Sequence, residues 1–123
     1  MRLPNGHQAI MPYLMLNEAD KFLDFTQAVF DAKETSRTLR EDKKTIMHSE
    51  IQINGSTIMF CEATEDWKQQ TANLFIYVDD ADETFDKALK AKGKTIMPLT
   101  DQDYGRTCGV EDPFGNTWWI TSL

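Results

Sequence analysis

Residues 13–25 read Tyr-Leu-Met-Leu-Asn-Glu-Ala-Asp-Lys-Phe-Leu-Asp-Phe, and residues 75–87 repeat their pattern as Phe-Ile-Tyr-Val-Asp-Asp-Ala-Asp-Glu-Thr-Phe-Asp-Lys. Each stretch is an apolar strand that runs into an acidic turn and then into an amphipathic helix. The end of each half repeats too, because Gly-Ser-Thr-Ile-Met-Phe at 55–60 returns as Gly-Asn-Thr-Trp-Trp-Ile at 115–120. A repeat of this length is one supersecondary unit used twice. The chain is therefore predicted to be a single pseudo-symmetric domain, 1–123, with unit one at about 8–62 and unit two at about 70–123.

The composition disfavours several classes of function. The 123 residues include 20 acidic and 13 basic side chains, for a formal net charge of −7. Such a chain lacks the basic stripe that nucleic acids or anionic membranes require, so neither is expected as a partner. Two cysteines do not make a disulfide framework. With no basic-then-apolar leader and no apolar run of membrane-spanning length, the cytoplasm is the expected location.

Hydrophobic periodicity and turn residues predict the same order of elements, β-α-β-β-β, in both halves. In unit one we expect a strand at 10–16, a helix at about 18–30 capped by Asn17, one poorly defined strand within 31–45, and strands at 47–53 and 56–61 joined by an Asn-Gly hairpin turn. In unit two we expect a strand at 72–78, a helix to about 92 capped by Asp79 or Asp80 and followed by Gly93, and strands at 94–97, 106–111 and 117–121. The first six residues are expected to be a loose lead-in.

This order, with these turn residues, resembles the vicinal oxygen chelate superfamily, which includes glyoxalase I, extradiol dioxygenases and bleomycin-resistance proteins, and most of all its PhnB-like branch. The segments that carry the resemblance are Met-Pro-Tyr-Leu at 11–14, the helix run at 25–30, Met-His-Ser-Glu at 47–50, Tyr-Val-Asp-Asp-Ala-Asp at 77–82 and Glu-Asp-Pro-Phe-Gly-Asn-Thr-Trp-Trp-Ile at 111–120. The resemblance implies an α+β fold in which two paired β-α-β-β-β units form a curved, half-barrel sheet with a central cleft. It also implies a homodimer, in which the two units pair within one chain or swap between chains.

Metal-dependent members of that superfamily take one ligand from the first strand and one from the last strand of each unit. By resemblance these four positions are Met11, Met59, Asn73 and Trp119, and they are symmetry mates within the repeat. A thioether, a neutral amide oxygen and an indole are poor ligands for zinc, magnesium or manganese. We therefore expect no metal and no cofactor at this position.

Strand alternation indicates which side chains share the cleft face with those four positions. Unit one would contribute Tyr13 and Met15, and unit two would contribute Phe75 and Tyr77. Such a surface of methionine and aromatic side chains suits a hydrophobic or aromatic small molecule. The first hypothesis is a metal-free binding protein with the ligand-binding residues Met11, Tyr13, Met15, His48, Glu50, Met59, Asn73, Phe75, Tyr77 and Trp119.

His48 and Glu50 share one face of their strand, so they are also candidates for general acid/base work or for donation to a metal. The second hypothesis is accordingly a metal-dependent lyase or isomerase of glyoxalase type with a non-standard site near this pair, although the sequence offers no third ligand. The third is a degenerate member with a filled barrel and an interaction role. Whether the chain is an enzyme stays open. Cys61 and Cys108 are expected to be buried and inert.

Overall fold

The structure is a computed structural model that describes residues 1–123. The chain divides into two compact units, Met1–Thr71 and Ala72–Leu123. Unit one contains β1 (Tyr13–Leu16), α1 (Ala19–Phe30), β2 (Lys33–Leu39), β3 (Ile46–Ile53) and β4 (Ser56–Glu62); unit two contains β5 (Asn73–Tyr77), α2 (Ala81–Lys90), β6 (Lys94–Gln102), β7 (Gly105–Glu111) and β8 (Thr117–Ser122). The order β-α-β-β-β therefore occurs twice, which confirms the predicted α+β architecture.

Each unit has its own four-stranded open sheet, and the two sheets have the same topology. The strand order is β1-β4-β3-β2 in unit one and β5-β8-β7-β6 in unit two. In both sheets the first strand pairs parallel with the last strand of the unit, and the remaining pairs are antiparallel. A parallel pair needs a crossover connection, and in each unit the helix and two strands supply it.

The strand boundaries follow local chemistry. Asn54 and Gly55 both have positive φ, 47° and 84°, which is the backbone of the tight hairpin predicted between β3 and β4. β6 runs through Pro98, where the sequence predicted an end, and its register against β7 shifts between Met97 and Thr100. Proline is tolerated there because β6 lies at the edge of its sheet.

The cap predicted for α1 is wrong. Helix α1 begins at Ala19, its N-cap residue Glu18 has left-handed backbone, and the Glu18 side chain makes no capping hydrogen bond. The carboxylate of Glu62, at the end of β4, instead accepts hydrogen bonds from the backbone N–H groups of Glu18 (3.1 Å) and Ala19 (3.0 Å). A negative group at a helix N-terminus satisfies free N–H donors and favours the helix dipole. The helix is therefore anchored by a strand 44 residues away in the chain.

The start of α2 is as predicted, but its end differs. The Asp80 side chain accepts a hydrogen bond from the Glu83 backbone N–H at 3.1 Å, so Asp80 is the cap. After the helix, the positive φ (76°) occurs at Lys92 and not at Gly93, the residue that the sequence placed after the helix. Gly93 is needed for space instead, because a Cβ there would lie 2.6 Å from a Val110 methyl carbon and 2.8 Å from the Ala88 carbonyl oxygen.

Each sheet buries one face under its own helix. In unit one the buried residues include Leu14, Leu16, Ile51, Ile58 and Phe60 from the sheet and Phe22 from α1, whose ring meets that of Phe60 edge-on at 5.0 Å. In unit two they include Cys108, Val110, Trp118 and Ile120 from the sheet and Ala81 and Ala88 from α2. Burial of these apolar side chains leaves the opposite face of each sheet for function. Neither helix has the length and apolar composition that crossing a bilayer requires.

Candidate functional site

The face of the unit-one sheet opposite α1, here called the open face, carries the polar residues singled out by the sequence. Tyr13 on β1 lies beside Met59 on β4, and Met59 lies beside Glu50 on β3. Met15 lies beside Cys61 in the same sheet. The alternation predicted from the sequence therefore has the correct register in this unit. Met11 comes just before β1 and is half-buried.

A chain of hydrogen bonds crosses the open face. The Tyr13 hydroxyl lies 3.0 Å from Nδ1 of His48, and Nε2 of His48 lies 2.8 Å from Oε2 of Glu50. The other carboxylate oxygen, Oε1, lies 2.7 Å from Nε2 of His7. The Glu50 carboxylate thus binds the imidazoles of His7 and His48, and the His48 imidazole also binds the Tyr13 phenol.

The electrostatics of this chain keep Glu50 ionised and Tyr13 neutral. Hydrogen bonds from His48 and then from His7 lower the pKa of Glu50 below its ordinary 4.5, and burial opposes them. Burial raises the pKa of the Tyr13 hydroxyl, with smaller contributions from Cys61 and Glu50 in the same direction and an opposing one from Arg40. Because ionised Glu50 only accepts hydrogen bonds, Nε2 of both histidines carries the proton.

His7 is a member of this cluster that is absent from the residues predicted from the sequence, and it directly follows the lead-in that was expected to be loose. In the structure that lead-in is held at its end. The Gly6 carbonyl accepts hydrogen bonds from the Thr57 hydroxyl and from Nε2 of Gln52. The Gln8 side chain donates to the Thr57 carbonyl at 2.9 Å and accepts from the Thr57 N–H at 3.3 Å. Residues 6–8 therefore lie on the open face, and the expectation of a loose segment is wrong for Gly6.

A pocket of about 930 Å³ lies in unit one beside this cluster. Its apolar wall is formed by Tyr13, Met15, Met47, Cys61 and Trp67. Trp67 is 62% exposed and Met47 is 48% exposed, so both have surface available to a guest molecule. A volume of this size is typical of small-molecule sites in proteins.

The remaining lining residues are polar, and the sequence analysis did not single them out: Arg40, Glu41, Asp42, Thr64 and Asp66. This part of the lining has three carboxylates, Glu41, Asp42 and Asp66, and one guanidinium, Arg40, so it is acidic. It is here called the acidic rim. Hydrogen bonds from Thr45 and Lys44 lower the pKa of Asp42 to about 2, so this carboxylate is ionised at neutral pH. Nη2 of Arg40 donates to the Glu62 carbonyl at 2.8 Å.

The segment after β4 positions Trp67. Thr64 and Trp67 close a turn in which the Trp67 N–H donates to Oγ1 of Thr64 at 2.9 Å and the Thr64 N–H donates to the Trp67 carbonyl at 2.8 Å. Gln70 then pairs with Met15 through two backbone hydrogen bonds of 2.9 and 3.1 Å. An isolated tryptophan in a polar bridge was the available sequence signal for this side of the pocket.

In unit two the predicted ligand-binding residues lie on β5 and β8. Asn73 Oδ1 accepts a hydrogen bond from Nε1 of Trp119 at 3.1 Å. The Trp119 ring covers Gly109, where an added Cβ would come within 2.5 Å of the ring. Phe75 and Tyr77 are exposed and meet edge-on at 5.3 Å, and Tyr104 lies 6.3 Å from Phe75.

The four positions that the resemblance assigns to metal ligands do not fit a metal. The Asn73 amide oxygen already accepts from the Trp119 indole, and Met11 and Met59 offer only thioethers. No group of three or more His, Cys, Asp or Glu side chains is arranged to hold a metal ion. Both ring nitrogens of His48 are occupied by protein partners.

Both cysteines are buried and unpaired, as expected. Burial raises the pKa of the Cys61 thiol, and burial raises that of Cys108 to about 11. Because the thiolate is the nucleophilic form, neither residue is a candidate nucleophile at neutral pH.

The family model of the Glyoxalase/Bleomycin resistance protein/Dioxygenase superfamily matches residues 7–120. The chain belongs to this superfamily. One relative by sequence is an uncharacterized protein of Mycobacterium bovis. It is 32% identical over 126 residues, which cover 93% of this chain and 82% of the relative.

Solved structures of the superfamily type share the fold. A PhnB protein from Bacillus cereus aligns with a TM-score of 0.72 at 19% identity, covering 94% of this chain and 100% of that one. TnmS3, an antibiotic binding protein from Streptomyces sp. CB03234, aligns with a TM-score of 0.72 at 14% identity, covering 94% and 98%. At these identities the likeness is one of fold.

Proposed function

We propose that this superfamily member is a PhnB-like small-molecule binding protein that takes a hydrophobic or aromatic ligand without a metal. The observation that carries the proposal is the pocket of about 930 Å³ in unit one, with its wall of methionine and aromatic side chains. Aromatic faces stack on planar groups, and methionine adapts to irregular shapes. A filled core with only an interaction role would not have such a pocket.

Charge refines the class of ligand. Three carboxylates, Glu41, Asp42 and Asp66, line the pocket together with a single cation, Arg40. A planar aromatic cation would match both the carboxylates and the exposed Trp67 ring, since cations bind favourably over aromatic faces. The fold itself accommodates small-molecule binding in TnmS3, an antibiotic binding protein.

The test is isothermal titration of the purified protein with a panel of planar aromatic compounds, cationic and neutral. We expect at least one to bind and Trp67→Ala to weaken it about tenfold, because a stacking surface is lost, whereas Trp67→Phe retains much of the affinity. Ile10→Ala, at an 87% exposed side chain outside the pocket, is the control. Weakening by Trp119→Ala instead would move the site to unit two, and no binding by any compound would overturn the proposal.

The proposal includes a homodimer. Its support is the cluster of exposed rings in unit two, Phe75, Tyr77 and Tyr104, which are 52%, 60% and 48% exposed. Exposed aromatic clusters on soluble proteins often mark association surfaces. In a two-fold symmetric dimer the same surface of each protomer lies at the interface. One interface would therefore bury this ring cluster on both chains.

A further inference from the structure

Glu50 fixes the direction of the hydrogen bonds in the chain that links Tyr13, His48, Glu50 and His7. The ionised carboxylate accepts from Nε2 of His48 at 2.8 Å, so this nitrogen bears the hydrogen. In neutral His48 the other nitrogen, Nδ1, then has a lone pair only. The Tyr13 hydroxyl, 3.0 Å away, must be the donor in that bond. When His48 is neutral, every hydrogen of this chain therefore points toward Glu50.

This direction determines what Tyr13 offers to the pocket. Its single hydrogen is committed to His48, so the phenol oxygen is left with lone pairs. Tyr13 lines the pocket and is 43% exposed, and hydrogen bonds in such a chain polarise one another. The oxygen is consequently a hydrogen-bond acceptor of enhanced strength on a residue that lines the pocket.

We propose that Tyr13, positioned by His48 and Glu50, is the specificity-determining acceptor of this pocket and selects aromatic ligands that carry an N–H donor, a cationic N–H above all. The inference rests on the proposed function. A ligand N–H donates to the Tyr13 oxygen, and Tyr13, His48 and Glu50 continue the chain in one direction. The acidic rim formed by Glu41, Asp42 and Asp66 favours the cationic form of such a donor.

The other charged or titratable groups near Tyr13 leave this assignment intact. The Cys61 thiol is neutral, since burial raises its pKa. The Arg40 guanidinium donates to the Glu62 carbonyl. His7 binds the Glu50 oxygen that His48 leaves free, which holds the carboxylate from its second side.

The test compares two fluorescent cations with the same ring system and charge, of which one has N–H groups and the other has none: 9-aminoacridinium and 10-methylacridinium. We expect the wild-type protein to bind 9-aminoacridinium about tenfold more tightly. Tyr13→Phe keeps the ring and removes the oxygen, so it should make the two affinities equal. Thr38→Ser, a mild change on the strand beside His48, should leave the preference unchanged.

Glu50→Gln tests the positioning role. An amide can donate to Nε2 of His48, which allows the hydrogen to move to Nδ1 and the Tyr13 hydroxyl to turn toward the ligand. We expect this variant to lose the preference for 9-aminoacridinium while it still binds 10-methylacridinium. Nitrogen NMR of the histidine ring should find the Nε2–H tautomer of neutral His48 in the wild type and a shifted tautomer population in the variant, a change that loss of stability alone would not produce.

The outcomes separate this inference from the proposed function. Equal affinities of the wild type for the two dyes, or an Nδ1–H tautomer of His48 in the wild type, would overturn the role of Tyr13 and leave the binding protein in place. Failure to bind either dye, together with failure of the whole aromatic panel, would overturn both.

Discussion

At the scale of single residues, Asp112, in the turn before β8, is a buried carboxylate that depends on several hydrogen bonds. It is 3% exposed, and its carboxylate accepts four hydrogen bonds of 2.8–2.9 Å, from the backbone N–H groups of Phe114 and Asn116 and from the side chains of Asn116 and Trp118. Burial raises its pKa, and these hydrogen bonds oppose the rise. A group buried with this many donors is costly to replace.

We predict that Asp112→Asn lowers the free energy of unfolding by about 3 kcal/mol. The amide NH2 of the new side chain would face N–H donors that now bind the carboxylate, so some of these hydrogen bonds would be lost. Urea unfolding followed by tryptophan fluorescence measures the change. Asp103→Asn, on an exposed loop, is the matched control and should change stability little. A loss of less than about 1 kcal/mol in the Asp112 variant would show that the turn relaxes around the amide.

The lowered pKa of Glu50 predicts how the stability of the protein depends on pH. Its folded pKa is lowered, first by the hydrogen bond from His48 and then by that from His7. The unfolded state therefore binds its proton more readily than the folded state, so the stability that Glu50 contributes is present above its ordinary pKa of 4.5 and is lost as the pH falls through the lower folded value.

The measurement is the difference in unfolding free energy between wild type and Glu50→Gln across acid pH. We expect the difference to shrink as the pH falls below about 4.5. Glu65→Gln, at an exposed glutamate, supplies the baseline and should show no such trend. A wild-type advantage that stays constant down to about pH 3 would contradict the lowered pKa.

The residues around Glu50 show which parts of the candidate site could be predicted from the sequence. His48 and Glu50 lie two positions apart on one strand, so their shared face followed from alternation alone. His7 lies 43 positions from Glu50 and outside any strand or helix, and no local pattern connects them. Trp67 and the acidic rim likewise come from connections, whose path depends on tertiary contacts such as the pairing of Gln70 with Met15.

At the scale of elements, the repeat predicted the number and order of the helices and strands, whereas β2 was located only within 31–45 and β6 was predicted to end too early. The caps were less predictable. Asp80 is a local cap three residues before its partner, Glu83, and the sequence predicted either Asp79 or Asp80. The cap of α1 comes from Glu62 on another element, so Asn17, a residue with the right chemistry next to the helix, was the wrong choice.

We predict that Glu62→Ala destabilises the protein by about 1–2 kcal/mol, because two N–H groups at the start of α1 lose their acceptor. Glu62→Gln keeps one acceptor oxygen without the charge and should cost less. Thermal unfolding by circular dichroism compares both with Glu65→Ala as the control. If Asn17→Ala proved more destabilising than Glu62→Ala, the assignment of the cap would be wrong.

At the scale of the whole molecule, the proposed homodimer is the property to measure. Sedimentation across a range of protein concentrations should show a species of twice the 14.1 kDa chain mass. Tyr77→Glu places a charge in the exposed ring cluster of unit two and should shift the equilibrium toward monomer, since charge is costly at an apolar contact. Ser56→Glu adds the same charge at the exposed first residue of β4 and serves as the control. A monomer at all concentrations would refute the dimer.

The pairing of Gln70 with Met15 has a consequence for colloidal behaviour. An unpaired strand edge is a template on which other chains can polymerise. The outer edge of β1 is shielded by the Gln70 bridge, and the opposite edge of that sheet is β2, whose sequence includes Lys33, Glu34 and Arg37. Charged side chains discourage edge-to-edge growth. We therefore expect both edges of the unit-one sheet to resist fibril formation, and we expect a variant that detached residues 64–71 to expose a nucleus for aggregation.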